Sequence, residues 1–465
     1  MLIYLSIIIL GLLQIHISIA SLTFQLKPNN EGHLLRRDNN IDLEFLSQSR
    51  SAPIIDLYFG SQGEKIPVML DTGSYTSFVQ SKQVSEKRGY DYTNSSSYEN
   101  NNKDFSVQYA DSTSYKGNWS KDAVSFDKNG DKINLNFGLV TYATTNGVSS
   151  DTNVFGLGYN YGEPTLFDQL KEKGLISRKT FSIYSSANDH SLGEIYFGAI
   201  DSAKYTGDLV SVPIKPFGNG RLWWSYLTDL EAGCESTTNG NTYFMNFDCG
   251  YTTGLTVPED VHKKLLNNLG AFYEEQSKNY VFDCENASPI QAEVAGHKIE
   301  IPSAGFTKKI RNTDQCVLKH IIPGPDKDTI TMGWIFFPYI YGVFDAHNDE
   351  ILFGKPITDT KESNIQELGD SIPNVQKASK YSSVSNAVIT NQIAYTSIPT
   401  SSVQLDIEST GVTSASTCST GNRKRDLSLE DKIKKGIFVP DSSASSVFKS
   451  FSMILLFSSI LVTCI

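Results

Sequence analysis

Cysteine is scarce in this chain, at six in 465 residues. That excludes a disulfide scaffold, in which bridges stand in for a core. Histidine is almost as rare. The seven are scattered, with no His-x-x-x-His spacing, and no Cys-x-x-Cys pair occurs either, so no metal site and no cofactor is expected. A Gly-x-Ser-x-Gly elbow is also missing, which removes the hydrolases built on that turn. Basic residues are outnumbered, 40 Lys and Arg against 51 Asp and Glu for a net charge of −11, and no basic patch with interleaved aromatics is present. A nucleic-acid partner is therefore not expected. Long apolar runs occur only at the two ends of the chain.

What the chain does have is enough apolar (39%) and aromatic (11%) sequence to bury a sizeable core. Residues 1–20 form a nearly uncharged apolar leader ending in Ile19-Ala20-Ser21, the pattern of a secretory signal peptide. A short polar segment, 21–37, ends at the dibasic pair Arg36-Arg37 and reads as a propeptide. From about residue 50 to 358, short alternating or apolar runs are broken by Gly, Asn, Asp and Ser, which predicts a mostly-β protein. Helices are expected only from Leu166 onward and over Val261–Leu266, after the Pro258-Glu259-Asp260 start signal.

From about Ser382 to Thr420 the composition turns rich in Ser and Thr. Arg423-Lys424-Arg425 then offers a second processing site. Small residues at 442–446 followed by an apolar end, Phe451–Ile465, give the pattern of a GPI attachment signal, with an ordinary anchor helix as the alternative. In a secreted protein Cys284 and Cys316 are the best candidates for a disulfide. Cys234 and Cys249 are a second possible pair, although a hairpin turning at Asn239-Gly240 would not set them directly opposite. Asn94, Asn118 and Asn286 begin Asn-x-Ser sequons and are the expected glycosylation sites.

Two segments carry the chemistry. Pro67-Val68-Met69-Leu70-Asp71-Thr72-Gly73-Ser74 and Tyr243-Phe244-Met245-Asn246-Phe247-Asp248-Cys249-Gly250 each run from apolar residues into an Asp and then turn at a glycine. A carboxylate at the end of a buried strand is costly unless it is hydrogen-bonded or does chemistry. Two of them suggest a facing pair that shares one proton. Such a pair can hydrolyse an amide: the ionised member takes a proton from water and the protonated one polarises the carbonyl.

The Asp71 segment resembles the first lobe of a pepsin-like aspartic protease, as do the Phe105–Ser112 stretch, Val154-Phe155-Gly156-Leu157-Gly158, and Gly193–Asp201. The layout is similar to the fungal yapsin and candidapepsin type. The resemblance implies a bilobal β fold with a cleft between lobes of residues 38–204 and 205–360, then a Ser/Thr-rich stalk over 361–445 and a GPI-type tail over 446–465. It implies Asp71 and Asp248 as the catalytic pair and Tyr109 as the flap tyrosine, with Asp111, Gly73 and Gly250 among the substrate-binding residues. Thr72 would form half of a clasp between the two Asp loops, Ser74 would bond the outer oxygen of Asp71, and Cys249 would support the site. The expected protein is a monomeric acid endopeptidase that acts on polypeptides, secreted or held at the cell surface by a GPI anchor. The sequence departs from the family where Cys249 and Tyr251 stand for hydroxyl residues, where Met332-Gly333-Trp334 replaces a Gly-Asp pair, and where Ala110 and Ser112 replace flap glycines. Those departures keep open an alternative, a weak or inactive homologue that binds peptides or wall components.

Overall fold

In the computed structural model, residues 22–26, 53–108, 113–144, 152–160, 166–188, 193–215, 220–275 and 277–386 are described. The leader, Arg36-Arg37, the Ser/Thr-rich stretch beyond residue 386, Arg423-Lys424-Arg425 and the apolar tail lie outside them, as does the flap segment 109–112.

The period-2 pattern of the sequence becomes strands whose alternate residues point into a core. Glu64–Asp71 shows it: Ile66, Val68 and Leu70 are buried while Pro67 and Met69 are only half-buried. This strand pairs with Ile54–Phe59 on one side and lies parallel to Val154–Gly156 on the other. The sheet continues through Phe78–Gln80, Ile133–Thr144, Ser114–Ser125 and Glu99–Gln108 to form the first lobe. The second lobe repeats the plan. Tyr243–Asp248 pairs with Trp224–Ala232 and lies parallel to Thr329–Gly333, in a sheet that also holds Leu255–Pro258, Ile290–Val294, His297–Ile301 and Ile321–Gly324.

A third sheet joins the lobes. Its strand order is Leu22–Leu26, Gly193–Phe197, Thr180–Ser185, Tyr341–Asp345, Glu350–Pro356, Tyr205–Pro213 and Val375–Lys377. Leu22–Leu26, from the segment read as a propeptide, is thus an edge strand, antiparallel to Gly193–Phe197. Arg178 is 2% exposed and binds Asp345 through Nε at 3.2 Å and Nη2 at 2.6 Å. A bidentate geometry of this kind is what lets an ion pair sit in the interior.

Among the described residues, the helices within the lobes are short and few, Leu166–Glu172 and Glu259–Leu269. The second starts after Pro258 and stops at Gly270, whose φ of 65° is the left-handed cap that glycine adopts without strain.

Residues 361–386 correct the sequence reading, which assigns them to the stalk. Ile365–Glu367 pairs with Ala199–Asp201, and Val375–Lys377 lies parallel to 209–211. A terminal helix, Tyr381–Asn386, follows. Leu368 and Val384 are buried, Arg178 Nη1 donates to the Asp370 carbonyl at 2.6 Å, and Lys380 meets Glu293 at 2.6 Å. The strap is hard to see in sequence because its strands are three residues long and largely exposed. Backbone pairing holds them, and that leaves no apolar period.

The Cys284–Cys316 disulfide is present, with Cα atoms 5.0 Å apart. It staples the small sheet of Phe272–Glu274, Asn279–Asp283, Gln315–Leu318 and Thr307–Lys309. Cys249 is a free, buried thiol, and Cys234 is disulfide-bonded, so the two are not partners. The chain does turn at Asn239-Gly240, both with positive φ. The strand that follows pairs with Trp224–Leu227, not with the residues beside Cys234.

Candidate active site

The two Asp loops are built alike. Asp71 ends its strand level with Gly156 of a parallel neighbour, and Asp248 ends its strand level with Gly333 of another. Gly333 therefore occupies the place that Gly156 holds in the first lobe, and the unusual residue of Met332-Gly333-Trp334 is the one after it. Trp334 uses its backbone N–H to hold the Tyr251 carbonyl at 2.8 Å.

The loops meet tip to tip, with Asp71 and Asp248 in a shared hydrogen bond. Gly73 and Gly250 permit the approach: a Cβ on Gly73 would collide with the Asp248 carboxylate, and one on Gly250 with that of Asp71. Thr72 fastens the loops. Its Oγ1 donates to the Phe247 carbonyl at 2.7 Å and accepts the Cys249 N–H at 2.8 Å. From the other side, Cys249 Sγ donates to the Leu70 carbonyl at 3.3 Å. Burial pushes the thiol well above its usual pKa, so it remains a protonated donor.

The carboxyls are both buried, at 1% and 6% exposure, but their surroundings differ. Asp71 accepts the Gly73 N–H at 2.8 Å and the Ser74 hydroxyl at 2.6 Å. Burial raises its pKa while these donors pull it back. Asp248 accepts the Tyr251 N–H at 2.9 Å. Tyr251 stands where Ser74 stands in the first loop, but its phenol bonds Thr256 Oγ1 at 2.8 Å and not the carboxyl. Burial, and then the neighbouring Asp71 charge, hold Asp248 well above the usual carboxylate range. Of the two, Asp248 is the member more readily kept protonated and Asp71 the one more readily ionised. An ionised and a protonated carboxyl side by side, next to a cleft, can activate water and polarise a carbonyl together.

A family model of the eukaryotic aspartyl proteases matches residues 54–356, which span both Asp loops and all of the structure just described except the edge strand Leu22–Leu26 and the C-terminal strap. The chain belongs to the eukaryotic aspartyl proteases. It is an aspartic endopeptidase of the pepsin-like bilobal fold. The protease is similar to secreted aspartic protease 3 of Candida albicans, 26% identical over 343 residues that cover 67% of this chain and 81% of that protein. It is similar also to aspartic proteinase yapsin-3 of Saccharomyces cerevisiae, 25% identical over 396 residues and 76% of each chain. The acid protease of Saccharomycopsis fibuligera is 27% identical over 330 residues, 66% of this chain and 81% of that one.

Of the residues singled out in the sequence, the structure of the protease brings together Asp71, Thr72, Gly73, Ser74, Asp248, Cys249 and Gly250. The hairpin of Glu99–Gln108 and Ser114–Ser125 leads towards Tyr109 and Asp111, which lie outside the described residues. Sequence reasoning missed the Tyr251–Thr256 bond and the place of Asn246 on the wall beside Asp248. The second was legible in principle, because Asn246 precedes Asp248 by two positions and shares its strand face.

Proposed function

We propose that Asp71 and Asp248 are the catalytic pair of an acid endopeptidase acting at the cell surface or outside the cell. The observation that carries this reading is the asymmetric, buried carboxyl pair, one member served by Ser74 and the other without a side-chain hydroxyl donor of that kind. Asp71, as carboxylate, takes a proton from the attacking water. Asp248 gives its proton to the substrate carbonyl oxygen, and a tetrahedral diol forms. The diol collapses as the leaving nitrogen takes the proton from Asp71 and a diol hydroxyl returns one to the pair, which again holds a single proton.

The leader, the sequons and the relatives named as secreted support export. Asn94 and Asn286 are exposed, and Asn118 is half-buried in a strand. The proposed maturation removes the leader and cuts after Arg37. The small-residue stretch and apolar tail support a GPI anchor, and the polypeptide acts as a monomer.

The test is cleavage of a denatured protein at acidic pH by the purified protease, blocked by a statine-type inhibitor. Asp71→Asn should abolish this cleavage while leaving the thermal unfolding cooperative. Wild-type-like activity in that variant would sink the assignment. A wild-type protein that binds the inhibitor but cleaves nothing would favour the peptide-binding alternative, for which the altered Cys249 and Tyr251 positions are the motive.

A further inference from the structure

The strand Tyr243–Asp248 has two unlike faces. Met245 and Phe247 are fully buried in the core. Phe244, Asn246 and Asp248 alternate with them and lie on the opposite face. That face keeps a residual exposure of 6–7%, and it is the face from which Asp248 meets Asp71. Its neighbours confirm the direction. Trp224 pairs directly with Asn246, and its ring lies 5.9 Å from that of Phe244. On the other side Asn246 is level with Thr331, which is half-exposed and paired with Thr256. The wall beside Asp248 is thus Trp224, Asn246, Thr331 and Thr256.

On this wall, the Asn246 carboxamide oxygen is buried and has no hydrogen-bond partner among the described residues. A buried amide oxygen without a partner is destabilising, so such atoms in folded proteins are kept where something satisfies them. The corresponding wall of the first lobe is different. Met69 precedes Asp71 by the same two positions, and it packs against the apolar cluster that holds Phe78, Phe105, Val107 and Tyr115, with no polar atom to satisfy.

We propose that Asn246 is a specificity-determining residue: the wall beside Asp248 receives a peptide side chain that donates a hydrogen bond, such as Gln, Asn, Ser or Thr. The wall beside Asp71 receives an apolar one. A peptide crossing the carboxyl pair places one of the two residues flanking the scissile bond against each wall. The substrate class is then a polypeptide with an apolar residue on one side of the cut and a carboxamide or hydroxyl residue on the other. The proposal rests on the reading of Asp71 and Asp248 as the catalytic pair. It adds a polar requirement that the pair itself does not impose.

Cleavage-site profiling of a peptide mixture tests it. The wild-type protease should show enrichment for Gln, Asn, Ser or Thr at one flanking position and for apolar residues at the other. Asn246→Ile should erase the polar enrichment. For a matched pair of peptides carrying Gln or Leu at that position, the ratio of kcat/KM should move towards Leu by about tenfold, the effect of one buried amide left unpaired. Apolar preference on both sides in the wild type, or an unchanged ratio in Asn246→Ile, overturns the proposal. Should Asn246→Ile not fold, the wild-type profile alone still decides. Binding of two non-cleavable peptides, with a hydroxyethylene group at the scissile position and Gln or Leu beside it, separates the two readings. Equal affinities overturn the role of Asn246, whereas preference for Gln without any turnover faults the catalytic pair alone.

Discussion

Thr72 and Cys249 hold each other's loop across the cleft floor with unequal strength. The threonine hydroxyl both accepts the Cys249 N–H and donates to the Phe247 carbonyl, while the thiol supplies one long bond to the Leu70 carbonyl. A thiol is the weaker donor. The geometry of the carboxyl pair therefore depends more on the first-lobe loop than on the second.

Cys249→Ser should keep or raise kcat, because a hydroxyl fits the same volume and donates more strongly. Cys249→Val should lower both kcat and the urea midpoint, leaving the buried Leu70 carbonyl without this donor at a cost of roughly 1–3 kcal/mol. Since Cys249 is free, Ser replacement breaks no disulfide. Equal loss in both variants would mean that the sulfur acts through packing alone.

Tyr251→Thr should move the alkaline limb of the pH–rate profile to lower pH. Asp248 has no hydroxyl donor of the kind that Ser74 gives Asp71. Supplying one stabilises the charged form, which lowers the higher apparent pKa of the pair. Ser74→Ala should do the reverse at the acid limb, raising the lower apparent pKa. Unmoved limbs in variants that remain active would contradict the asymmetric placement of the proton.

His297→Phe should narrow the difference in Tm between pH 7 and pH 4. His297 stacks on Phe353 with ring centroids 5.6 Å apart, and burial pushes its pKa from 6.5 down to about 4. The unfolded chain binds that proton first, so the folded state loses stability as the pH falls from about 6.5 to about 4. The carboxyl pair works in the opposite sense. Both pKa values are raised in the fold, so their contribution is present at acid pH and is lost as the pH rises through the folded value of Asp248. Phenylalanine keeps the stack and removes the titration. A Tm difference as large as that of the wild type would rule His297 out as the source.

Ending the chain after Pro356 should leave the protease less stable than ending it after Asn386. The shorter chain loses the burial of Leu368 and Val384, on the order of 3–5 kcal/mol together. It also strips Arg178 of the Asp370 carbonyl. Urea unfolding of the two truncations reads the difference. Equal midpoints would show that the strap only decorates the fold.

The sequence by itself determined the two Asp loops, the β character of the lobes and the two lobe helices. Each of these is written locally: an apolar strand that runs into Asp-x-Gly, a period of two, and a proline that starts Glu259–Leu269. The Cys284–Cys316 bridge was legible as well, from its position in the second half. Tertiary structure alone decided the rest. That Tyr251 turns its phenol to Thr256 and leaves Asp248 short of a donor depends on a strand contact that no spacing reveals. That Cys249 is not joined to Cys234 depended on which strand Tyr243–Asp248 chose as its partner. The strap was illegible because three-residue strands are held by backbone hydrogen bonds, which carry no side-chain signature, and because its few buried residues fill sites made by distant parts of the chain.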